Sequence, residues 1–391
     1  MKRTWMILML LACLPCWAFA QEVQADQTHE ETTQALMEAQ IDKVMDGIDF
    51  SGMEGWRIPG FETQVTVREA VRELAGGHML SAEDAVASAF HAFFHSLSAL
   101  GRLMLSLMLP VLISTVLSHT LGGGSGGIFR LSRSVCFVLI LIPVVLVVLS
   151  ELEHARETIT QITQRMDKML PMLLTLLTAL GGNASSAFLH PMVVAASGSM
   201  VFLAREVILR LVMCTCAVTT VNHLSLNAHL SRMAQLLRSA VCWLLGVSFT
   251  VFLGAMSLQG VCSASIDGVA IRAAKYAVDN FVPIVGGMFS DTMDTLVGCT
   301  LIVKNALGVC AALVLLGVIL APLVHTTAVV FVMKLSAALL EPVADAQIVR
   351  AIGDFSRTIV LFLVTMLCVG TMYFLLIVQM LLVGNLTVML R

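Results

Sequence analysis

The chain has 391 residues, of which 58% are hydrophobic and only 13% charged, and its mean hydropathy is +0.90. Soluble domains carry about a quarter of charged residues, so a water-soluble globular protein is excluded for most of the length and lipid is the expected solvent. The formal net charge of −3 supplies no basic surface of the kind that binds nucleic acid.

Lys2 and Arg3 precede an apolar run from Trp5 to Leu14, and Ala18-Phe19-Ala20 offers small residues for cleavage. This is the pattern of a secretory signal over residues 1–20, cut between Ala20 and Gln21. The alternative is a lipoprotein signal read through Cys13. Either one puts the next segment outside the cytoplasm. Residues 21–98 read as an acidic extracytoplasmic region. From Glu22 to Asp84 there are fourteen Asp and Glu against four Lys and Arg. Val67, Ala70, Val71 and Leu74 recur at helical spacing, with Arg68, Glu69, Arg72 and Glu73 on the other side. A second amphipathic helix is expected from Ser81, where Asp84 makes a capping-box-like start. Helices of this type lie on a membrane surface or pack on a partner.

Residues 99–391 read as an all-α, polytopic membrane domain of about eight transmembrane or re-entrant helices, each of roughly 20 apolar residues. The first is expected at 99–118, followed by the glycine-rich connector Gly122–Gly127 and a short span at 134–150. Residues 169–204 carry no charge and are too long for one span. Gly181-Gly182-Asn183 interrupts them near the middle, and His190-Pro191 interrupts them again. The two readings are a tight helical hairpin and a broken, cavity-lining element. Further spans are expected at 206–224, 239–259, 305–324 and 358–383. Arg130 and Arg133, then Arg232 and Arg238, mark two loops without acids, which positive-inside orientation puts in the cytoplasm.

Polar groups recur between 257 and 305. Arg272, Lys275 and Asp279 lie off the apolar face of one helix, and Ser290 is placed to cap the next, with Asp291 and Asp294 in its first turn. Lys304 is flanked by uncharged sequence on both sides. It is either an interfacial anchor or an ammonium at membrane depth, where ionisable residues are costly and commonly functional. Lys304 with Asp291 and Asp294 is the candidate buried polar cluster. The eight cysteines beyond the signal lie in or beside apolar stretches and are read as small hydrophobes. His91 and His95 stand at i,i+4 without further ligands nearby, so no metal and no cofactor is expected. Nucleotide, dinucleotide and serine-hydrolase motifs do not occur, and the chain is not read as an enzyme.

The runs Ala234–Gly260 (AQLLRSAVCWLLGVSFTVFLGAMSLQG) and Ile266–Gly308, together with GGNASSAFLHPMVV at Gly181–Val194, resemble the stage III sporulation protein AE family. The resemblance is most specific from 181 to 308. It implies a subunit of a multiprotein channel or secretion-like complex in the mother-cell membrane around the forespore, needed for endospore development after engulfment. The implied partners are the other proteins of the same operon, including a separate ATPase, and a forespore membrane protein across the intermembrane space. The family's recurring polar positions match Asp267, Arg272, Lys275, Asn280, Asp291, Asp294, Lys304 and Asn305 here, without assigned roles. Two other readings stay open from the residues: a stand-alone small-molecule permease, and a membrane chaperone or scaffold for the other subunits.

Overall fold

The computed structural model describes Asp46 and residues 67–75, 100–120, 127–180, 183–224, 230–281 and 286–389. The expected signal with Ala20 and Gln21, the helix from Ser81, and His91 and His95 lie outside them, as do Gly181 and Gly182. Every described element is a helix. In chain order they are α1 (Val67–Ala75), α2 (Gly101–Thr120), α3 (Gly127–Ala179), α4 (Asn183–Phe202), a π turn (Leu203–Ile208), α5 (Leu209–Leu224), α6 (Ser231–Phe281), α7 (Gly286–Leu340) and α8 (Ala346–Met389).

The all-α membrane reading holds, with longer helices than hydropathy windows suggest. Among the described residues four helices are long and apolar enough to cross a membrane, over Phe137–Ala179, Ser231–Leu258, Val297–Leu340 and Ala346–Val383. The 53 residues of α3 and the 55 of α7 rise about 80 Å each at 1.5 Å per residue, far beyond a hydrocarbon core of about 30 Å. The expected 134–150 span and the first limb of 169–204 are thereby one rod, joined through the polar stretch 151–168. Arg130 and Arg133 lie within its first turns rather than in a loop. Helix α3 ends at Ala179 and α4 begins at Asn183, whereas His190 and Pro191 sit inside α4 without ending it. Proline is tolerated in apolar helices where neighbouring groups take up the freed carbonyl. Likewise α7 begins at Gly286, so Ser290 is a helix residue and not its cap, and Asp291 and Asp294 fall beyond the first turn.

Packing centres on α8, which contacts α3, α5, α6 and α7. Its tightest neighbour is α7, to which Glu341–Asp345 joins it as an antiparallel hairpin. Two glycines fix the register. A Cβ at Gly308 of α7 would overlap the Leu381 side chain of α8, and one at Gly370 of α8 would overlap Ile319 of α7. Small residues at such crossings let two backbones approach in lipid, where dispersion contacts replace the hydrophobic drive. The amphipathic α1 packs on α7: Ala70 and Val71 are fully buried while Arg68, Glu69, Arg72 and Glu73 remain exposed. Arg68 pairs with Asp46. Large apolar side chains are exposed along the outside, among them Ile113, Leu146, Trp243, Val251 and Leu258, a surface suited to lipid tails.

Candidate functional site

Buried polar groups occur at three levels along the α7–α8 hairpin. At the far end from its turn, Lys304 is only 1% exposed. Its ammonium donates to the carbonyl oxygen of Leu381 at 2.8 Å. This contact depends on Gly308, one turn along α7, because Leu381 occupies the space a side chain there would need. Lys304 is thus enclosed within the packed hairpin. The side chains of Asp291 and Asp294, expected to join Lys304 in a cluster, lie outside the described residues. Asn305 is half-buried, and its Oδ1 has no hydrogen-bond partner.

The middle level joins α3 to α7. Glu151, 2% exposed, accepts a hydrogen bond from Thr326 at 2.7 Å. His325 Nδ1 lies 3.6 Å from the other carboxylate oxygen, and the His154 and His325 rings are 4.9 Å apart between centroids.

The third level lies near the hairpin turn and ties α5, α6 and α8 together. Asp354 receives His223 at 3.0 Å, Arg238 at 3.4 Å and Arg357 at 3.2 Å. Arg238 also donates to the Asp354 carbonyl at 3.1 Å and to Thr219 at 3.4 Å. Gln347 caps the arrangement by donating to the His223 carbonyl. Arg238, read from the sequence as a loop-flanking charge, is here the clamp on a carboxylate.

These contacts also set the relative heights of the helices. The Glu151–Thr326 bond places Glu151 near Leu363 of α8, through the register that Gly308 and Gly370 fix. Further along, Tyr373 of α8 lies near Thr163 of α3 and Ser197 of α4. Thr219 of α5 stands at Asp354, so the continuous rod α4–π turn–α5 runs antiparallel to α8. Two charged strips therefore meet level with the middle of α8. Glu153, Arg156 and Glu157 on α3 face Arg205, Glu206 and Arg210 of the π turn and α5 across a groove of about 690 Å3. Thr160, Gln161 and Gln164 complete its wall. Arg210 pairs with Glu206, and Arg156 with Glu153 at 3.9 Å. The surrounding heights of α6 (239–259) and α8 (358–383) carry no charged residue.

This groove is the strongest candidate site. Charged groups cost on the order of 2.5–3.5 kcal/mol each at the centre of a bilayer, so six of them cannot rest against hydrocarbon. Water or another polypeptide must cover them. The π turn contributes directly: Arg205 and Glu206 fall within it, and single π turns inside α-helices are frequent at functional positions.

The residues singled out from the sequence are not gathered at this groove. Asp267, Arg272, Lys275 and Asn280 lie in the last third of α6, and Asp291 and Asp294 near the start of α7; their side chains are outside the described set. Asn183 opens α4, and His190 and Pro191 are exposed on it. Sequence reasoning missed the stretch 151–168, whose charges between two apolar runs were a usable signal of a polar face on one long helix. No group of three or more His, Cys, Asp or Glu able to hold a metal ion occurs among the described residues.

Comparison with known proteins gives consistent results. A family model described as Stage III sporulation protein AE matches residues 65–384. A curated relative, Stage III sporulation protein AE of Bacillus subtilis (strain 168), is 29% identical over 211 residues. The match covers 54% of this chain and 53% of that protein, so the chain spans about half the length of the relative it matches. No solved structure matches.

Proposed function

The chain belongs to the stage III sporulation protein AE family, a membrane protein with a role in sporulation, and from that premise we propose that it is a non-catalytic subunit of a channel or secretion-like complex. The complex lies in the mother-cell membrane around the forespore and serves development after engulfment. Its other members are the remaining proteins of the operon, including the ATPase that supplies energy, and a forespore membrane protein across the intermembrane space. The observation that carries this reading is the charged groove at mid-height of α8, which in a conduit subunit faces water or an adjoining subunit. A groove complete within one chain also favours the stand-alone permease, the second reading.

The test is accessibility. Gln161→Cys in the groove is expected to react with a membrane-impermeant thiol reagent, above the background of the native cysteines. Val251→Cys on the lipid face is expected to stay unlabelled. Equal protection of both would sink the conduit reading. Deleting the gene separates the two functions: arrest after engulfment supports the complex, and normal spores leave the permease to be tested by uptake.

A further inference from the structure

Glu151, His154 and His325 occupy a second place in the molecule where charge and burial conflict. Glu151 is 2% exposed between α3 and α7. Among the described residues its close hydrogen-bond donor is Thr326, a neutral hydroxyl. His325 Nδ1 is within 3.6 Å of the carboxylate but outside hydrogen-bond geometry, and it is buried without a partner; so is His154 Nε2. A carboxylate with one hydroxyl donor is poorly compensated at this depth. The idle Nδ1 of His325 stands beside it, and the His154 ring lies 4.9 Å from that of His325. A single proton satisfies both the carboxylate and His325 Nδ1.

We propose that Glu151, His154 and His325 form a proton-binding site shared between α3 and α7. With an ionised carboxylate and two neutral imidazoles the trio carries one negative charge. Binding one proton from water makes it neutral, as a carboxylic acid or as an imidazolium–carboxylate pair, with no bond broken and nothing oxidised. The proton turns a bare contact into a hydrogen bond from one helix to the other, so its occupancy is felt in how firmly α3 holds α7. This inference is independent of the conduit reading.

The nearest other charges are those of the groove, where Glu157 and Arg205 stand beside the pairs Glu153–Arg156 and Glu206–Arg210. On α8 no Asp, Glu, His, Lys or Arg occurs between Arg357 and Arg391, and Thr365 there bonds the carbonyl of Leu361. The charges of α2 are Arg102 and His119, near its two ends. On α3 the next charges, Glu153 and Arg156, pair with each other. On α4 His190 is exposed, on α5 Arg210 pairs with Glu206 and His223 faces Asp354, and on α6 Arg238 clamps Asp354. On α7 Lys304 and Lys334 are two or more turns away, and α1 presents its charges outward.

The experiment is pH-difference infrared spectroscopy on the full-length protein in lipid nanodiscs, with wild type, Glu151→Gln and His154→Gln. Wild type is expected to show a carboxyl or imidazole band that changes with pH, and Glu151→Gln to lose the carboxyl component. His154→Gln is expected to move its midpoint by about one pH unit or more, because coupled groups titrate as a unit. A titrating band whose midpoint is unmoved in His154→Gln overturns the shared site. A wild-type spectrum in which neither a carboxyl nor an imidazole band changes with pH overturns it as well, and both readings stand even if Glu151→Gln does not fold.

Discussion

An ammonium facing a carbonyl, as at Lys304, gains a charge–dipole contact but keeps most of the cost of leaving water. Such a group contributes little net stability. Lys304→Met, which keeps the length and removes the charge, is therefore expected to leave thermal unfolding in detergent unchanged or slightly raised. Lys304→Ala, which opens a hole between α7 and α8, should lose about 2–4 kcal/mol. Asp354 is the opposite case. It compensates Arg238, which is 17% exposed, and His223, which is 9% exposed. Asp354→Asn strands both, and a loss of roughly 2–3 kcal/mol is expected, read as an earlier melt and weaker protection of α5. The sequence made Lys304 visible because it is isolated in apolar text. Asp354 and Glu151 were not visible, since a carboxylate beside other polar residues looks like a solvated helix end. Only the contacts of distant helices reveal that these two are enclosed.

At the scale of elements, α7 and α8 offer a matched comparison between glycines. Gly308 and Gly370 have no room for a side chain, whereas Gly298, on the same α7, has nothing within contact distance of an added Cβ. Gly308→Ala is expected to force the hairpin apart at Leu381 and to cost about 1–3 kcal/mol. Gly298→Ala should be neutral or gain up to about 1 kcal/mol through helix propensity. Thermal melts of the two variants decide whether close approach at this crossing matters. Apolar stretches were legible from hydropathy, and so were α1 and α2. The lengths of α3, α6, α7 and α8 were not. A window scan stops where charges enter, but helical hydrogen bonding does not, and a polar face that meets another polar face continues the helix at no penalty. Proline was over-read in the same manner: Pro191 carries the marks of a break and sits within α4.

For the whole molecule, exposure divides the surface into a face for lipid and a face that excludes it. Trp243, Val251 and Leu258 on α6 belong to the first, and the groove between α3 and α5 to the second. A charge introduced on each face separates them. Val251→Arg is expected to lower the membrane-integrated amount several-fold, in keeping with a cost of about 3 kcal/mol at mid-bilayer, while Gln164→Arg leaves it unaltered. Immunoblots of membrane fractions provide the readout, and equal losses would contradict the division. This partition was beyond a linear reading, because it arises where residues 153–164 and 205–210 are brought to one height by two helices of opposite direction.

The π turn at Leu203–Ile208 also keeps the phase of its rod. A turn of this kind lodges one surplus residue in an otherwise regular helix, so the azimuth of about 100° that the residue would add in an α-helix is taken up by the wider turn. Regularising the turn at unchanged length would swing everything after it by that angle. Thr219 and His223 would then point away from Asp354, although no atom of either had been altered. Excising one residue from this stretch should consequently be better tolerated than excising one from α5.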